Sequence, residues 1–236
     1  MNRNLLSAAL ILGLCGAAAA QSPAFDAELN DELSHVQERA VAKAAKQAAD
    51  DAKLKAALSS TLTAMNDGVE QGGAVIAYLN ANGVKVEFRD MLERSLSSAK
   101  TVSLSSKTPP YPRAIGPRIA WEVAPRMLAD MPASSEKEYM RRSITARVWL
   151  ELNGEPSKLP IIEPLTGDKD EQLSHEMKLW LDNKSEMALY KIGEATKTES
   201  VMSLMDQEKD PAKLAALKAA NKRFTDFLFV EQQSRP

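Results

Sequence analysis

The sequence predicts a mainly α-helical protein with a small β element, an α+β fold. Apolar residues recur every three or four positions over long stretches, which is the repeat of one helix face. Helix-capping pairs bound several of these stretches, among them Asn82-Gly83 and Asp210-Pro211. Two short runs near the middle of the chain instead alternate apolar and polar residues, which is typical of strands with one buried face.

Residues 1–20 have the features of a secretory signal peptide. Arg3 is followed by an apolar run to Cys15 and by Ala18-Ala19-Ala20, small residues that predict cleavage before Gln21. The apolar run is shorter than the roughly 20 residues needed to span a bilayer. An acylated Cys15 is the alternative, although Leu14 stands where a small residue is expected. We therefore expect a secreted protein of the periplasm with no transmembrane segment.

Removal of residues 1–20 leaves a chain of 216 residues without cysteine, so that disulfides, thiolate metal sites and cysteine nucleophiles are excluded. Arg3 is the charged residue of that segment, and without it 29 basic residues stand against 32 acidic ones, a net charge of −3. Because there is no basic excess to neutralise phosphates, we expect no nucleic-acid partner.

Residues 21–66 predict an N-terminal helical arm rich in Ala, Lys, Glu and Asp. One face of the helical repeat carries Leu29, Leu33, Val36, Ala40 and Ala44. Alanine buries little area, so such an arm either packs closely on a partner, as in a coiled coil, or projects from the body. The arm is one helix, or two with a break near Asp50-Asp51.

The second predicted domain covers residues 67–236. Gly68 and Gly72-Gly73 near its start predict a break between helices. A helix over 74–81 is expected to stop at Asn82-Gly83, a left-handed cap. Val84, Val86 and Phe88 predict one strand, and Val102 with Leu104 predicts another. Prolines 109, 110 and 112 predict an extended connector.

Two central helices follow. Pro117 suits a first helical position, and Ser135 with Glu138 predicts a capping box for the second helix. That second helix should end at Asn153-Gly154, with a buried stripe formed by Met140, Ile144, Val148 and Leu152. Its basic residues, Lys137, Arg141, Arg142 and Arg147, predict a solvated face that pairs with Glu136 and Glu138.

The remaining chain predicts a proline-rich loop through Gly167 and two long helices. The first spans about 170–195 with Leu173, Met177, Trp180, Leu181, Ala188 and Ile192 on one face. The second is capped by Asp210-Pro211, and its stripe consists of Leu214, Leu217, Phe224 and Leu228.

Between Ala74 and Gly154 the order of parts resembles the core of small bacterial zincin-type metallopeptidases. A helix and two strands precede the segment Ile119-Ala-Trp-Glu122, and a helix containing Glu138-Tyr139 and Ala146-Arg-Val-Trp-Leu150 follows. In that family an HExxH helix carries two zinc-binding histidines and a general base, and a second helix brings a glutamate to the metal.

The resemblance places Trp121 and Pro125 at the two histidine positions and Glu122 at the position of the base, with Glu138 a counterpart of the third ligand. Neither an indole nor a proline ring offers a lone pair to zinc, so the resemblance implies a degenerate zincin without a metal or other cofactor. Pro125 also removes the amide that would bond the carbonyl of Trp121, so the helix should kink or end near Ala124. The candidate residues are Glu122 as a catalytic remnant and Trp121, Glu138 and Tyr139 as binding residues.

The function that this combination predicts is a non-catalytic one, in which the protein binds another protein through the arm or the pocket around Trp121. The alternative is a hydrolase that uses Glu122 with Glu138 and His175. The other histidine of the chain, His35, lies on the arm. Both histidines are more simply interpreted as exposed residues of helices than as parts of a site. A third interpretation is a helical scaffold unrelated to zincins.

Overall fold

The computed structural model describes residues 23–67, 70–90, 96–153 and 185–234. In chain order its elements are α1 (Pro23–Asp67), α2 (Glu70–Asn82), β1 (Lys85–Arg89), β2 (Leu96–Ser98), β3 (Thr101–Ser105), α3 (Pro112–Met127), α4 (Ser135–Asn153), α5 (Ser185–Thr196), α6 (Val201–Gln207) and α7 (Pro211–Ser234). The predicted class, mainly α with a small β element, is confirmed. The chain divides into a first unit that ends at Ala49 and a second that begins at Asp50. The predicted signal peptide lies outside the described residues.

Helix α1 is one helix of 45 residues. Asp50 and Asp51 do not interrupt it, which decides between the one-helix and two-helix forms of the arm. Aspartate is one of the weaker helix formers, but it costs no more than about 0.7 kcal/mol relative to alanine. Both side chains are exposed, so neither carboxylate is desolvated in the helix. Every side chain from Ser34 to Ala49 is exposed.

Helix α2 begins earlier than the glycines predict. It starts at Glu70, so Gly72 and Gly73 lie in its first turn and do not form a turn before Ala74. Gly72 is needed there for close packing, since a Cβ atom would stand 2.7 Å from the carbonyl oxygen of Met65. The other end agrees with the sequence: the helix ends at Asn82, and Gly83 adopts φ +59°.

The sheet has three strands in the order β1-β3-β2. The two predicted strands are confirmed; they pair in parallel, with Val86 opposite Val102 and Phe88 opposite Leu104. The third strand, β2, was not predicted and pairs antiparallel with β3. Because β3 is the central strand, Val102 and Leu104 are buried and Ser103 is buried with them.

Helix α3 differs from prediction at both ends. Pro112, not Pro117, occupies the first helical position, where a missing amide is tolerated. Pro117 and Pro125 both lie inside the helix, which continues past Ala124 to Met127. The helix therefore does not end where Pro125 suggests, and contacts from α4 supply the reason, as described below.

Helix α4 is the centre of the body and ends at Asn153 as predicted. Its cap is Ser134, one residue before the predicted Ser135: the Oγ of Ser134 accepts from the amide of Lys137 at 3.3 Å. Met140, Ile144 and Val148 are buried as expected. The predicted solvation of the basic face is wrong, because every side chain from Ser134 to Leu152 is buried or half-buried and Arg142 is only 4% exposed. The predicted pairing with Glu138 is confirmed, since Arg141 and Arg142 lie 3.9 and 2.9 Å from that carboxylate. Helices α2, α3, α5 and α7 all pack against α4.

The C-terminal helices complete the body. Asp210 caps α7 as predicted, its Oδ1 accepting from the amide of Ala212 at 2.8 Å. Leu217 and Phe224 of the predicted stripe are buried, and Leu214 and Leu228 are half-buried. The first part of the helix predicted over 170–195 lies outside the described residues; its last part is α5, with Ile192 buried. Within the described residues, no helix is both long and apolar enough to cross a bilayer.

Candidate functional site

Trp121 lies half-buried on α3 beneath two arginines of α4. The guanidinium carbon of Arg141 is 3.6 Å from the centroid of the indole ring, and that of Arg142 is 5.7 Å away. Guanidinium groups at these distances are attracted to the negative face of the ring. Trp121 is therefore a platform for two cations.

Arg141 also compensates for Pro125. A helix bonds the carbonyl of residue 121 to the amide of residue 125, and proline has no amide hydrogen. The Nε of Arg141 donates to the carbonyl oxygen of Trp121 at 3.2 Å and takes the place of that donor. This contact explains how α3 runs through Pro125 to Met127.

Glu138 holds the two guanidinium groups beside Trp121. Arg142 donates from Nη1 to the Oε2 of Glu138 at 2.9 Å and to its carbonyl oxygen at 3.1 Å, and Arg141 lies 3.9 Å from the same carboxylate oxygen. Glu138 does not return to the helix cap as the predicted capping box requires, because the cap lies one residue earlier. The structure thus brings Trp121 and Glu138 together through the two arginines.

Glu122 is half-buried on α3, next to Trp121. Its proposed catalytic partner, His175, lies outside the described residues, so the pairing stays a prediction. His35 is on the exposed arm, with its Nδ1 3.6 Å from the carboxylate of Glu38. Among the described residues, His, Cys, Asp and Glu side chains form no group of three or more that could hold a metal ion.

Tyr139 is fully buried and faces α7. Its hydroxyl donates to Glu231 at 2.6 Å, and its ring meets Phe224 edge to face at a centroid distance of 5.7 Å. The hydroxyl of Ser143 donates to the other carboxylate oxygen of Glu231, which is 1% exposed. Full burial gives Tyr139 a structural role in fastening α7 to α4.

Glu231 was missed by sequence reasoning, although a signal existed. It stands three residues after Leu228 and seven after Phe224, on the predicted apolar stripe of α7. A carboxylate at a buried stripe position must find donors, since an unpaired buried charge is strongly unfavourable. The hydroxyl groups of Tyr139 and Ser143 are two such donors.

Two further glutamates of α4 cap other helices. The Oε2 of Glu136 accepts from the amide of Val201, the first residue of α6, at 2.9 Å. Glu151 accepts from the amides of Gln71 and Gly72 in the first turn of α2, at 2.9 and 2.8 Å. A carboxylate at a helix N-terminus satisfies free amides and complements the helix dipole.

Burial nevertheless raises the pKa of Glu151 above its ordinary value, although both amides and Arg147 oppose the shift.

The arm presents a different kind of surface. Val36 and Val41 are 62% and 63% exposed, and Ala40, Ala44, Ala45 and Ala48 are exposed with them. Each turn also carries a charged or polar side chain, so the surface is a mixture of polar and apolar groups. Water-facing apolar side chains at these helical spacings suit association with another helix better than they suit binding of a small molecule.

Comparison with protein-family models, curated proteins and solved structures finds no match for this chain. Its function must therefore be inferred from its own residues.

Proposed function

We propose that this chain is a secreted, periplasmic protein without catalytic activity, which acts by binding another protein through the first part of α1. The observation that carries the proposal is the uninterrupted exposure of side chains from Ser34 to Ala49 on a continuous helix. Helices of globular proteins draw most of their stability from packing of one face. Val36 and Val41 are exposed on this helix, so a partner protein could pack against them and stabilise it.

The contacts around Trp121 support a binding protein over an enzyme. Trp121 carries two guanidinium groups, and Glu138 is engaged by both of them. These contacts hold α3 and α4 together, so the groups are committed to the body and not to a substrate. We retain the zincin-like scaffold as part of the proposal, with Trp121 and Pro125 standing at the zinc-histidine positions.

Site-specific photocrosslinking tests the use of the arm. A photoreactive amino acid replaces Gln37 or Gln47 on the arm, and Ala219, an exposed position on α7, serves as the control. In cells that produce the full chain, we expect a discrete crosslinked adduct from both arm positions and none from Ala219. Adducts from Ala219 alone, or from no position, would overturn the proposal.

Metal analysis and a peptidase assay test the absence of catalysis. The purified protein should contain no stoichiometric zinc and should not cleave unstructured peptides. Zinc that is lost on Glu122→Ala, or cleavage that this variant abolishes, would support the hydrolase alternative.

A further inference from the structure

We infer that the partner of the arm is a different protein that presents an acidic helix, whose carboxylates are recognised by Arg39, Lys43 and Lys46 of α1. The inference rests on the proposed function and names the chemistry of the partner. It uses residues 34–49, the part of the arm whose side chains are described and exposed.

The three basic residues lie on one ridge of α1. In an α-helix each residue advances by about 100°, so positions four and then three residues apart stay within a sector of about 60°. Arg39, Lys43 and Lys46 have these spacings on an uninterrupted helix. We call these three residues the basic ridge.

The segment that carries the basic ridge is positive in a chain that is otherwise negative. Residues 34–49 contain the three basic residues and one acidic residue, Glu38, which gives a net charge of +2. Without these four, the 29 basic and 32 acidic residues of the predicted mature chain become 26 and 31, a net charge of −5. The carboxylate of Glu38 lies 3.6 Å from His35. Positive charge is therefore concentrated on the ridge.

The basic ridge has almost no acidic neighbours on its own helix. Arg39 and Lys43 have no acidic residue three or four positions away, where helix neighbours meet, and Lys46 has only Asp50. Over the part of the chain that the structure describes, none of the three basic side chains forms an ion pair. Like charges at these spacings repel one another and destabilise the helix. Carboxylates of a partner would offset that repulsion.

An apolar stripe lies next to the basic ridge. Val36, Ala40 and Ala44 occupy the neighbouring sector of about 80°. Two of the three are alanines, so a second helix can approach to the short end of the usual interaxial distances of about 8–10 Å. Charged residues that flank the apolar seam of a helix pair then meet across it, as they do in coiled coils. A helix with an apolar stripe and acidic residues on one flank fits this surface.

The composition of the stripe favours a protein over a lipid surface. Helices that lie in the membrane interface carry Trp, Phe or Leu on their apolar face. Residues 34–49 contain none of these residue types, and Val36 and Val41 are their largest aliphatic side chains. Because stable binding to lipid scales with the apolar area buried, valine and alanine contribute little to it.

Charge reversal in cells tests the basic ridge. The full chain carries the photoreactive amino acid at Gln47, which falls within the sector of the apolar stripe. In the ridge-reversed chain, all three ridge residues are changed, as Arg39→Glu, Lys43→Glu and Lys46→Glu. We expect the amount of adduct to fall at least about tenfold, because like charges then face one another. Glutamate and lysine have similar helix propensities, so the circular dichroism spectrum should stay helical.

A second triple variant is the control for net charge. It makes the same change in charge at three exposed positions outside the arm, as Lys209→Glu, Lys213→Glu and Lys218→Glu. Its adduct should equal that of the wild type. Equal loss of adduct in both triple variants would show an effect of net charge alone and would overturn the inference.

The adducts also separate this inference from the proposed function. An adduct that is as abundant from the ridge-reversed chain as from the wild type would overturn the inference and leave the proposed function standing, since the arm would bind a protein without its charges. Absence of an adduct from the wild-type arm would remove the proposed function and the inference with it.

The identity of the crosslinked protein tests the chemistry of the partner. Mass spectrometry should identify a protein other than this chain, crosslinked in a segment where Asp and Glu outnumber Lys and Arg. Changing the acidic residues of that segment to Lys should abolish the adduct with the wild type and restore it with the ridge-reversed chain. An adduct of twice the mass of this chain, or failure of the exchange to restore the adduct with a folded partner, would overturn the inference.

Lipid vesicles test the alternative surface. The purified protein is sedimented with vesicles of phosphatidylglycerol and phosphatidylethanolamine, and we expect it to stay in the supernatant. Sedimentation of the wild type with the vesicles that is lost in the ridge-reversed chain would assign the basic ridge to a lipid surface and overturn the inference.

Discussion

The Nε of Arg141 donates to the carbonyl oxygen of Trp121, the one that Pro125 deprives of its helical donor. The same guanidinium lies over the indole ring of Trp121. One side chain of α4 thus supplies the hydrogen-bond donor missing from the backbone of α3 and also stacks on Trp121, the largest half-buried side chain of that helix.

Arg141→Ala should destabilise the protein, and the loss should depend on Pro125. Loss of the hydrogen bond and of the ring contact should lower the free energy of unfolding by about 2–3 kcal/mol, as measured by urea denaturation. In a Pro125→Ala background, the restored amide bonds the Trp121 carbonyl, so the same change should cost about 1 kcal/mol less. Arg113→Ala, at an exposed arginine over Tyr111, is the control and should be insensitive to residue 125. If the unfolding free energies lost in Arg141→Ala and Pro125→Ala simply added in the double variant, Arg141 would not compensate for Pro125.

Removal of Glu231 should loosen the attachment of α7. Glu231→Ala leaves the buried hydroxyls of Tyr139 and Ser143 without their acceptor and should cost about 3 kcal/mol of unfolding free energy. Asp226→Ala breaks an exposed pair with Lys222 on the same helix and should cost less than about 0.5 kcal/mol. Hydrogen exchange of the α7 amides should rise in the first variant only. Equal effects of the two variants would show that the buried cluster does not fasten the helix.

Glu151 should make stability fall with rising pH. Because burial raises its pKa in the folded state above the ordinary value of 4.5, the folded protein binds this proton more tightly than the unfolded chain does. Relative to Glu151→Gln, the wild type should therefore lose stability as the pH rises from 4.5 through the raised pKa. Urea denaturation at a series of pH values measures the difference, with Asp206→Asn as a control at an exposed position. A wild type that gains stability over this window would contradict the direction of the shift.

Gly72→Ala should destabilise the junction of α1 and α2 although alanine is the better helix former. Its Cβ would stand 2.7 Å from the backbone oxygen of Met65 and 3.1 Å from Glu151, and backbone cannot move aside cheaply. We expect a loss of about 2 kcal/mol in thermal or urea unfolding. Gly83→Ala has open space around it but a positive φ, and should cost about 1 kcal/mol. A stabilising Gly72→Ala would show that the close approach is not needed.

Local signals in the sequence predicted most of the helices and two of the three strands. Asn82-Gly83 and Asp210-Pro211 determine helix ends through bonds and dihedral angles within a few residues, and the observed ends agree with them. The stripe of α4 and the alternation in β1 and β3 are likewise properties of short segments. Two helix starts were predicted wrongly: Ser134 caps α4 in place of Ser135, and α3 begins at Pro112 and not at Pro117.

The candidate site was predicted less completely, because its contacts join residues distant in the chain. Trp121 and Glu138 were selected from the sequence as binding residues, and they do lie in one cluster, but Arg141 and Arg142 connect them. Those arginines were predicted to face solvent, since nothing local distinguishes a paired buried arginine from an exposed one. The position of Glu231 on the apolar stripe of α7 indicated burial, but its partners could not be predicted because they lie some 90 positions away.

The sequence by itself determined the helical class, the ends of α2 and α4, the start of α7 and the apolar faces of α4 and α7, because each depends on backbone preferences and repeat lengths within a single segment. Only the tertiary structure decided that four other helices pack against α4, that its arginines bond within the body, and that α3 continues through Pro125. Burial and hydrogen-bond partners are set by which segments meet, and no single segment carries that information.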